Sequence, residues 1–214
     1  MCNLYRMKKG VAEVAQIFDA RPDLGANFAE EIYPGYAGLV VADGRARVMN
    51  WGFPLVVKGR QGQPRTPKPV TNARDDKLLT GFWLPSFKTR RCIVPVSAWA
   101  EPEGKNRQMT RTWYSRPDEP LFAVAGLWRP SDEWGDVYTM VMTESCPQMV
   151  DVHDRMPVLL TRQNWRTWTH GTADDALRLC QTSALPLAVE RTQDRWVGEA
   201  SASPPKPDDQ LRLF

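Results

Sequence analysis

The feature that most constrains this chain is a rhythm of short apolar stretches, rich in β-branched and aromatic residues and bounded by turn formers. YPGYAGLVVADGRARVMNWGFP (33–54) reads as a turn, a strand, a tight ADGRA hairpin turn and a second strand. RCIVPVSAWAEP (91–102) reads as one buried strand ending on a carboxylate, and PLFAVAGLWRP (120–130) and DVYTMVMTES (136–145) as two more. Helical signals are fewer. Val11, Val14, Ala15 and Phe18 recur at spacings of three and four, with Pro22 and Gly25 beyond them as closing signals. The first half of TRQNWRTWTH (161–170) and the stretch ADDALRLCQ (173–181) read as short helices. No βαβ alternation and no GxGxxG occurs, which argues against a Rossmann-type sheet. The pattern predicts an α+β domain built on an antiparallel, barrel-like β-sheet with peripheral helices.

A chain of 214 residues is long enough to bury a sizeable core, and its 42% hydrophobic and 25% charged residues are ordinary for a folded protein. The formal net charge of +3 is mildly basic and compatible with a polyanionic partner. Nine tryptophans exceed what such a core needs, so some are candidates for stacking surfaces. The four cysteines (Cys2, Cys92, Cys146, Cys180) are scattered, form no CxxC, and share the chain with only His153 and His170. A structural metal site is therefore not expected, nor is any cofactor. MCNLYRMKKG lacks the apolar core of a signal peptide and no apolar run approaches 18 residues. The expectation is a soluble, cytoplasmic protein with free thiols.

VVKGRQGQPRTPKPVTNARDD (56–76) is rich in Pro, Gly and basic residues and reads as a loop, either simply solvated or laying positive charge beside a cleft. From about Ala200 the composition shifts to SASPPKPDDQ, which reads as an extended tail over 200–214 behind a domain spanning 2–199.

Four polar positions fall near the edges of these elements: Cys2 after the initiator methionine, Asn72 in TNARDD, Glu101 in WAEP and His153 in VHDRMP. Singly, each has an ordinary structural explanation as a turn former, a strand end or a loop residue. Together with MNWGFP, FAVAGLW and HDRMPVLL, in this order along the chain, they closely resemble the SOS-response-associated peptidase (SRAP) family. Its members crosslink to abasic sites in single-stranded DNA. The resemblance runs from Cys2 to about Leu160 and more weakly to about residue 198.

The chemistry of Cys2 fits that implication independently. Once Met1 is gone, Cys2 carries a free α-amine and a thiol on neighbouring carbons. An amine of pKa roughly 7.7–8 is partly neutral at physiological pH and adds to the ring-opened aldehyde of an abasic site. The thiol then closes on the imine carbon to give a five-membered thiazolidine. An internal cysteine has only an amide nitrogen, and a serine lacks the soft nucleophile. The resemblance implies Glu101 as the acid/base beside the amine, His153 as a second one, and Asn72 as a hydrogen-bonding holder. It also suggests that the protein removes Met1 itself.

Arg74 and Arg155, two residues beyond Asn72 and His153, are candidates for phosphate contact; surface ion pairs with Asp75, Asp76 or Asp154 are the alternative. Pro34 and Trp51 are candidates for an apolar wedge against exposed bases, with a core position the alternative for Trp51. Three positions depart from the family pattern. Most relatives continue Cys-Gly-Arg, whereas this chain has Asn3 and Leu4, with Arg6 as the next arginine; Pro102 stands where an aromatic often follows the glutamate.

The tail ends QLRLF, which looks like the short peptide that bacterial replication proteins insert into the sliding clamp, with Gln210, Leu211, Leu213 and Phe214 as contacts. Folding back as an edge strand is the alternative. The leading expectation is a monomeric DNA-repair enzyme acting near the nucleoid. A cysteine peptidase and a non-enzymatic single-strand binder acting as clamp adaptor are the other two.

Overall fold

The computed structural model describes residues 2–57, 63, 65–105 and 108–196. The chain opens with strand β1 (Tyr5–Arg6) and helix α1 (Val11–Ile17), followed by β2 (Arg21–Pro22) and β3 (Glu31–Ile32). The hairpin β4 (Ala37–Ala42) and β5 (Arg45–Trp51) leads into β6 (Phe53–Leu55). Short strands β7 (Lys68–Val70) and β8 (Asn72–Arg74) precede helix α2 (Leu84–Thr89). Longer strands follow: β9 (Arg91–Val96), β10 (Ala98–Glu103), β11 (Thr110–Ser115), β12 (Phe122–Ser131) and β13 (Gly135–Glu144). After β14 (Arg155–Pro157) and β15 (Leu159–Leu160) come helices α3 (Trp165–His170) and α4 (Ala173–Arg178), then β16 (Ala188–Arg195).

The fold is α+β, and its centre is a closed barrel. Strands β13, β12, β9, β4 and β5 pair in that order, and β5 then returns to β13 to close the ring. Four of these seams are antiparallel, in line with the sequence pattern. The closing seam is parallel, with Val137 opposite Asn50 and Tyr138 opposite Trp51. β8 also joins β13 in parallel, placing Asn72 opposite Met140. Alternating apolar residues report which face is buried but not strand direction, so neither parallel pairing is visible in the sequence.

A second sheet, ordered β16-β11-β10-β1-β3, lies against the barrel. Tyr5 of β1 reaches across to share a hydroxyl–hydroxyl hydrogen bond with Tyr138 of β13. Trp51 meets the Tyr5 ring edge-on at 5.1 Å between centroids. Gly38 makes this contact possible: a Cβ there would sit 2.1 Å from the Tyr138 hydroxyl and 2.3 Å from that of Tyr5. The β4–β5 hairpin turns on Asp43 and Gly44, whose φ angles of 50° and 70° give the mirror-image turn that matches strand twist.

Several local expectations change. RCIVPVSAWAEP is two strands, split at Ser97, because the chain there leaves the barrel for the second sheet. Val96 still pairs with Phe122, whereas Ala98 pairs with Arg6. Ser97 anchors the crossing, its N–H donating to Arg6 C=O at 2.8 Å and its Oγ accepting from Lys8 N–H at 3.1 Å. In TRQNWRTWTH the first half is a 3-10 turn (Arg162–Asn164) and the α-helix occupies the second half, where it buries Trp168. The 56–76 segment contains β7 and β8 among its described residues rather than being a continuous loop. Helix α1 ends at Ile17, before Pro22 and Gly25 are reached, with Val14 and Ala15 buried.

A buried arginine ties the helices to the barrel. The Arg91 guanidinium donates to the carbonyls of Phe87 in α2, Trp168 in α3 and Gly171 just after α3. These are carbonyls near helix C-termini, where backbone acceptors lack helical partners and a positive charge is favourable. Trp168 Nε1 closes the same corner by donating to Cys92 C=O at 2.8 Å.

Candidate active site around the amino-terminal cysteine

Cys2 precedes β1 and is fully buried, its thiol 3.6 Å from the Leu4 carbonyl, to which it donates. The strands on either side explain this placement. β1 is sandwiched between β10 and β3, so the residues just before it are drawn into the space between the second sheet and the barrel. Burial, reinforced by the neighbouring Glu101 carboxylate, holds the Cys2 thiol well above the ordinary thiol range.

Asn72 comes from the barrel side. Its Nδ2 donates to the Cys2 carbonyl at 2.8 Å and to Thr71 Oγ1 at 2.8 Å. The Cys2 carbonyl can only accept, which fixes the amide orientation. Asn72 Oδ1 is then left buried with no hydrogen-bond partner among the described residues. Thr71 Oγ1 in turn donates to Asn3 Oδ1 at 3.2 Å.

Glu101 lies within β10, opposite Thr112, and is fully buried rather than standing at a solvated strand end. Its parity along the strand puts it on the same face as Trp99 and away from Ala100. Burial pushes its carboxyl up to about 7. His153, between β13 and β14, sets its Nε2 3.9 Å from Glu101 Oε2. The Arg155 backbone N–H donates to Nδ1 at 3.0 Å. In the neutral ring Nδ1 either accepts from that N–H or donates to the Arg155 carbonyl or to Asp154 Oδ1, each 3.2 Å away. Burial lowers the pKa of His153, which favours that neutral ring near pH 7. Cys2 thus has the Glu101–His153 pair beside its thiol and the Asn72 amide on its carbonyl.

The remaining predicted site residues separate. Arg74 is exposed and paired bidentately with Asp76, at 2.9 Å for each bond. Arg155 is held by Asp75 at 3.2 Å. Both arginines thus show the ion-pair alternative. The cleft beside them is lined by Asp75, Asp76, Thr143, Glu144, Arg155, Cys180, Gln181 and Thr182. Pro34 is half-buried in a tight turn closed by the Tyr36 N–H on the Tyr33 carbonyl at 2.9 Å. Trp51 is a correction: it is fully buried, with its Nε1 donating to Thr71 C=O at 3.1 Å, and cannot offer a face to DNA bases. Leu4 is buried on the other face of the second sheet with Ala98, Ala100 and Trp113. Arg6 on that face lies over the Trp113 ring at 3.7 Å and pairs with Glu31 at 2.8 Å. Gln210, Leu211, Leu213 and Phe214 lie outside the described residues, as does the 199/200 domain boundary.

Thr71 is the residue that sequence reasoning missed. Its adjacency to Asn72 within TNAR was the available signal, but only the fold shows that its hydroxyl bridges Asn72 and Asn3. Among the described residues no cluster of three or more His, Cys, Asp or Glu is placed to hold a metal ion, and no helix is long and apolar enough to cross a membrane.

A protein built on this barrel with an N-terminal cysteine, TNAR and HDRMP belongs to a defined class: residues 1–195 match the SOS response associated peptidase (SRAP) family, and the chain is a member of it. Among its relatives are the abasic site processing proteins YoqW and YobE of Bacillus subtilis. They are 34% identical over 46% of this chain and 47% of the relative, and 30% identical over 63% and 64%. The abasic site processing protein HMCES of Pongo abelii is 27% identical over 51% of this chain and 42% of the relative. The matches thus span about half to two thirds of these curated relatives. Crystal structures of a Bacteroides thetaiotaomicron protein and a Bordetella bronchiseptica protein share the fold, each with a TM-score of 0.74. They are 17% and 23% identical, cover 89% of this chain, and are themselves covered over 91% and 99%.

Proposed function

We propose that this protein captures abasic sites in single-stranded DNA through a thiazolidine formed on Cys2. The observation that carries this reading is the convergence of Glu101, His153 and Asn72 on the one residue that can supply a 1,2-aminothiol. Hydrolysis of the Met1–Cys2 peptide bond consumes one water and frees the amine. The amine adds to the sugar aldehyde to give a carbinolamine, which loses water to form an imine. The thiol adds across the imine bond, its proton ending on the nitrogen. Overall, aldehyde and aminothiol combine with loss of one water.

Glu101, poised near neutrality, can protonate the departing hydroxyl and accept a proton from the amine at the same pH. His153 turns Nε2 toward the same carboxylate and serves as donor or acceptor there according to its tautomer. Asn72 Oδ1 is a ready acceptor for an amine or carbinolamine proton. In this reading Arg74 and Arg155 exchange their aspartates for phosphates when DNA binds, and Pro34 sits against a flanking base. The QLRLF tail engages the sliding clamp, and the protein acts as a cytoplasmic monomer near replicating DNA.

A general cysteine peptidase is disfavoured. Burial and Glu101 push the thiol up, away from the thiolate such an enzyme needs, and the pocket seats the thiol in the interior. Self-removal of Met1 is compatible with the same acid/base pair. The test is electrophoresis and intact mass after mixing the protein with a single-stranded abasic oligonucleotide. The expected product is a covalent adduct of protein less Met1 plus oligonucleotide minus one water. Non-covalent binding alone would favour the adaptor reading.

A further inference from the structure

Position 3 begins a hydrogen-bonded chain that ends on the reactive residue. The chain runs from Asn72 Nδ2, which holds the Cys2 carbonyl, to Thr71 Oγ1 and on to Asn3 Oδ1, at 2.8, 2.8 and 3.2 Å. Each link has a forced direction. The Cys2 carbonyl accepts, so Asn72 presents its NH2 to both Cys2 and Thr71. Thr71, having accepted, spends its single proton on Asn3, which must therefore turn its oxygen inward. Both Asn72 protons are committed, and the amide cannot flip without breaking two bonds. What remains is Asn72 Oδ1, buried and without a hydrogen-bond partner among the described residues.

The Thr71 hydroxyl is itself rigidly placed. Its backbone carbonyl accepts from Trp51 Nε1 at 3.1 Å and from the Met140 N–H at 3.0 Å, and its residue is buried. The fully buried Trp51 thus acts on the site from behind, as a brace for Thr71. Asn3, by contrast, is exposed at the pocket rim. Its link ties the segment before β1 to the barrel strand β13 through Thr71.

The geometry points to Thr71 and Asn3 as positioning residues that lock Asn72 with its oxygen toward the amine of the mature Cys2. They set the rate of adduct formation without contributing to DNA affinity. The inference rests on the crosslinking function proposed above, so its test has one arm that needs no DNA.

In that arm, the side-chain amide protons of Asn72 are followed by NMR in the processed wild type and in Thr71→Val, Thr71→Ser and Asn3→Gly. The expected result is two resolved, slowly exchanging protons in wild type and Thr71→Ser. Exchange should be faster by at least tenfold in Thr71→Val, with an intermediate increase in Asn3→Gly. The second arm measures single-turnover adduct formation at saturating abasic oligonucleotide, alongside the Kd for an oligonucleotide carrying an unreactive tetrahydrofuran site. Thr71→Val should slow the adduct step about tenfold, the rate equivalent of one hydrogen bond, with Kd within twofold of wild type, and Thr71→Ser should restore it. Unchanged Asn72 protons in Thr71→Val, or a loss confined to Kd, would overturn the inference. Absence of any adduct in wild type would instead remove the crosslinking function, and the amide protons would still decide whether the lock exists.

Discussion

Two buried ionisable groups, Arg91 in the barrel and Glu101 in the second sheet, are treated in opposite ways. Arg91 is surrounded by backbone carbonyls, and four of them accept from its guanidinium. Glu101 is buried at least as deeply, but its surroundings favour the neutral acid until about pH 7. The first arrangement satisfies a charge and holds helices to strands. The second leaves a proton that can leave or arrive near neutral pH. Burial alone therefore says little about role; what separates structure from chemistry is which protonation state the surroundings favour near neutral pH.

The comparison breaks if Arg91 proves dispensable. Arg91→Met should cost about 3–5 kcal/mol in urea unfolding, because it orphans carbonyls at two helix ends and empties a charge-filled corner. Fold and barrel core would survive, so residual adduct formation by the folded fraction is expected.

Glu101→Gln should do the reverse on stability while harming chemistry. The native carboxyl titrates at about 7 against 4.5 for an ordinary glutamate, so the folded state holds the extra proton between these values. The stability that neutral Glu101 contributes is complete below pH 4.5 and is lost as pH rises through 7. Glutamine cannot ionise. The variant should therefore match wild type near pH 4 and exceed it at pH 8 by on the order of 3 kcal/mol, read from denaturation at both pH values. Adduct formation should fall by roughly 10²–10⁴-fold, the range for a lost acid/base. A stability difference between variant and wild type that is the same at both pH values would mean that Glu101 is an ordinary carboxylate.

The smallest effect is expected at the rim. Arg74→Ala removes an exposed pair with Asp76 and should leave the unfolding midpoint unchanged. Its effect belongs to DNA: the slope of log affinity against log salt for single strands should fall by about 0.7, one phosphate contact. An unchanged slope would confine Arg74 to its aspartate.

Much of this was legible in the residues. The strand-rich pattern, the Asp43–Gly44 hairpin and the α1 stripe follow from local periodicity and turn chemistry, and Cys2 from a reactivity that demands both the residue and its position. Other parts depend on long-range pairing that no window contains. Asn72–Arg74 is three residues long and becomes a strand only because β13 supplies its partner in parallel. Glu101 looked like a strand end because nothing local reveals that β11 covers it or that the chain changes sheets at Ser97. Trp51 in MNWGFP carries no local mark of an inward side chain, and its contacts with Tyr5 and Thr71 exist only across the fold. Asn3 was conspicuous as a departure from pattern, but its meaning needed the Thr71 hydroxyl beside it.

The central claim is that the fold aims its acid/base pair at a free aminothiol on Cys2. Intact mass spectrometry of the protein mixed with abasic single-stranded DNA tests it most directly, comparing wild type, Cys2→Ala and Cys2→Ser. The account predicts a wild-type adduct lacking Met1 that survives heating and needs no reductant, no stable adduct from Cys2→Ala, and at most a reducible imine from Cys2→Ser. A stable adduct of equal yield from Cys2→Ser, or one formed by wild type with Met1 still attached, would contradict it.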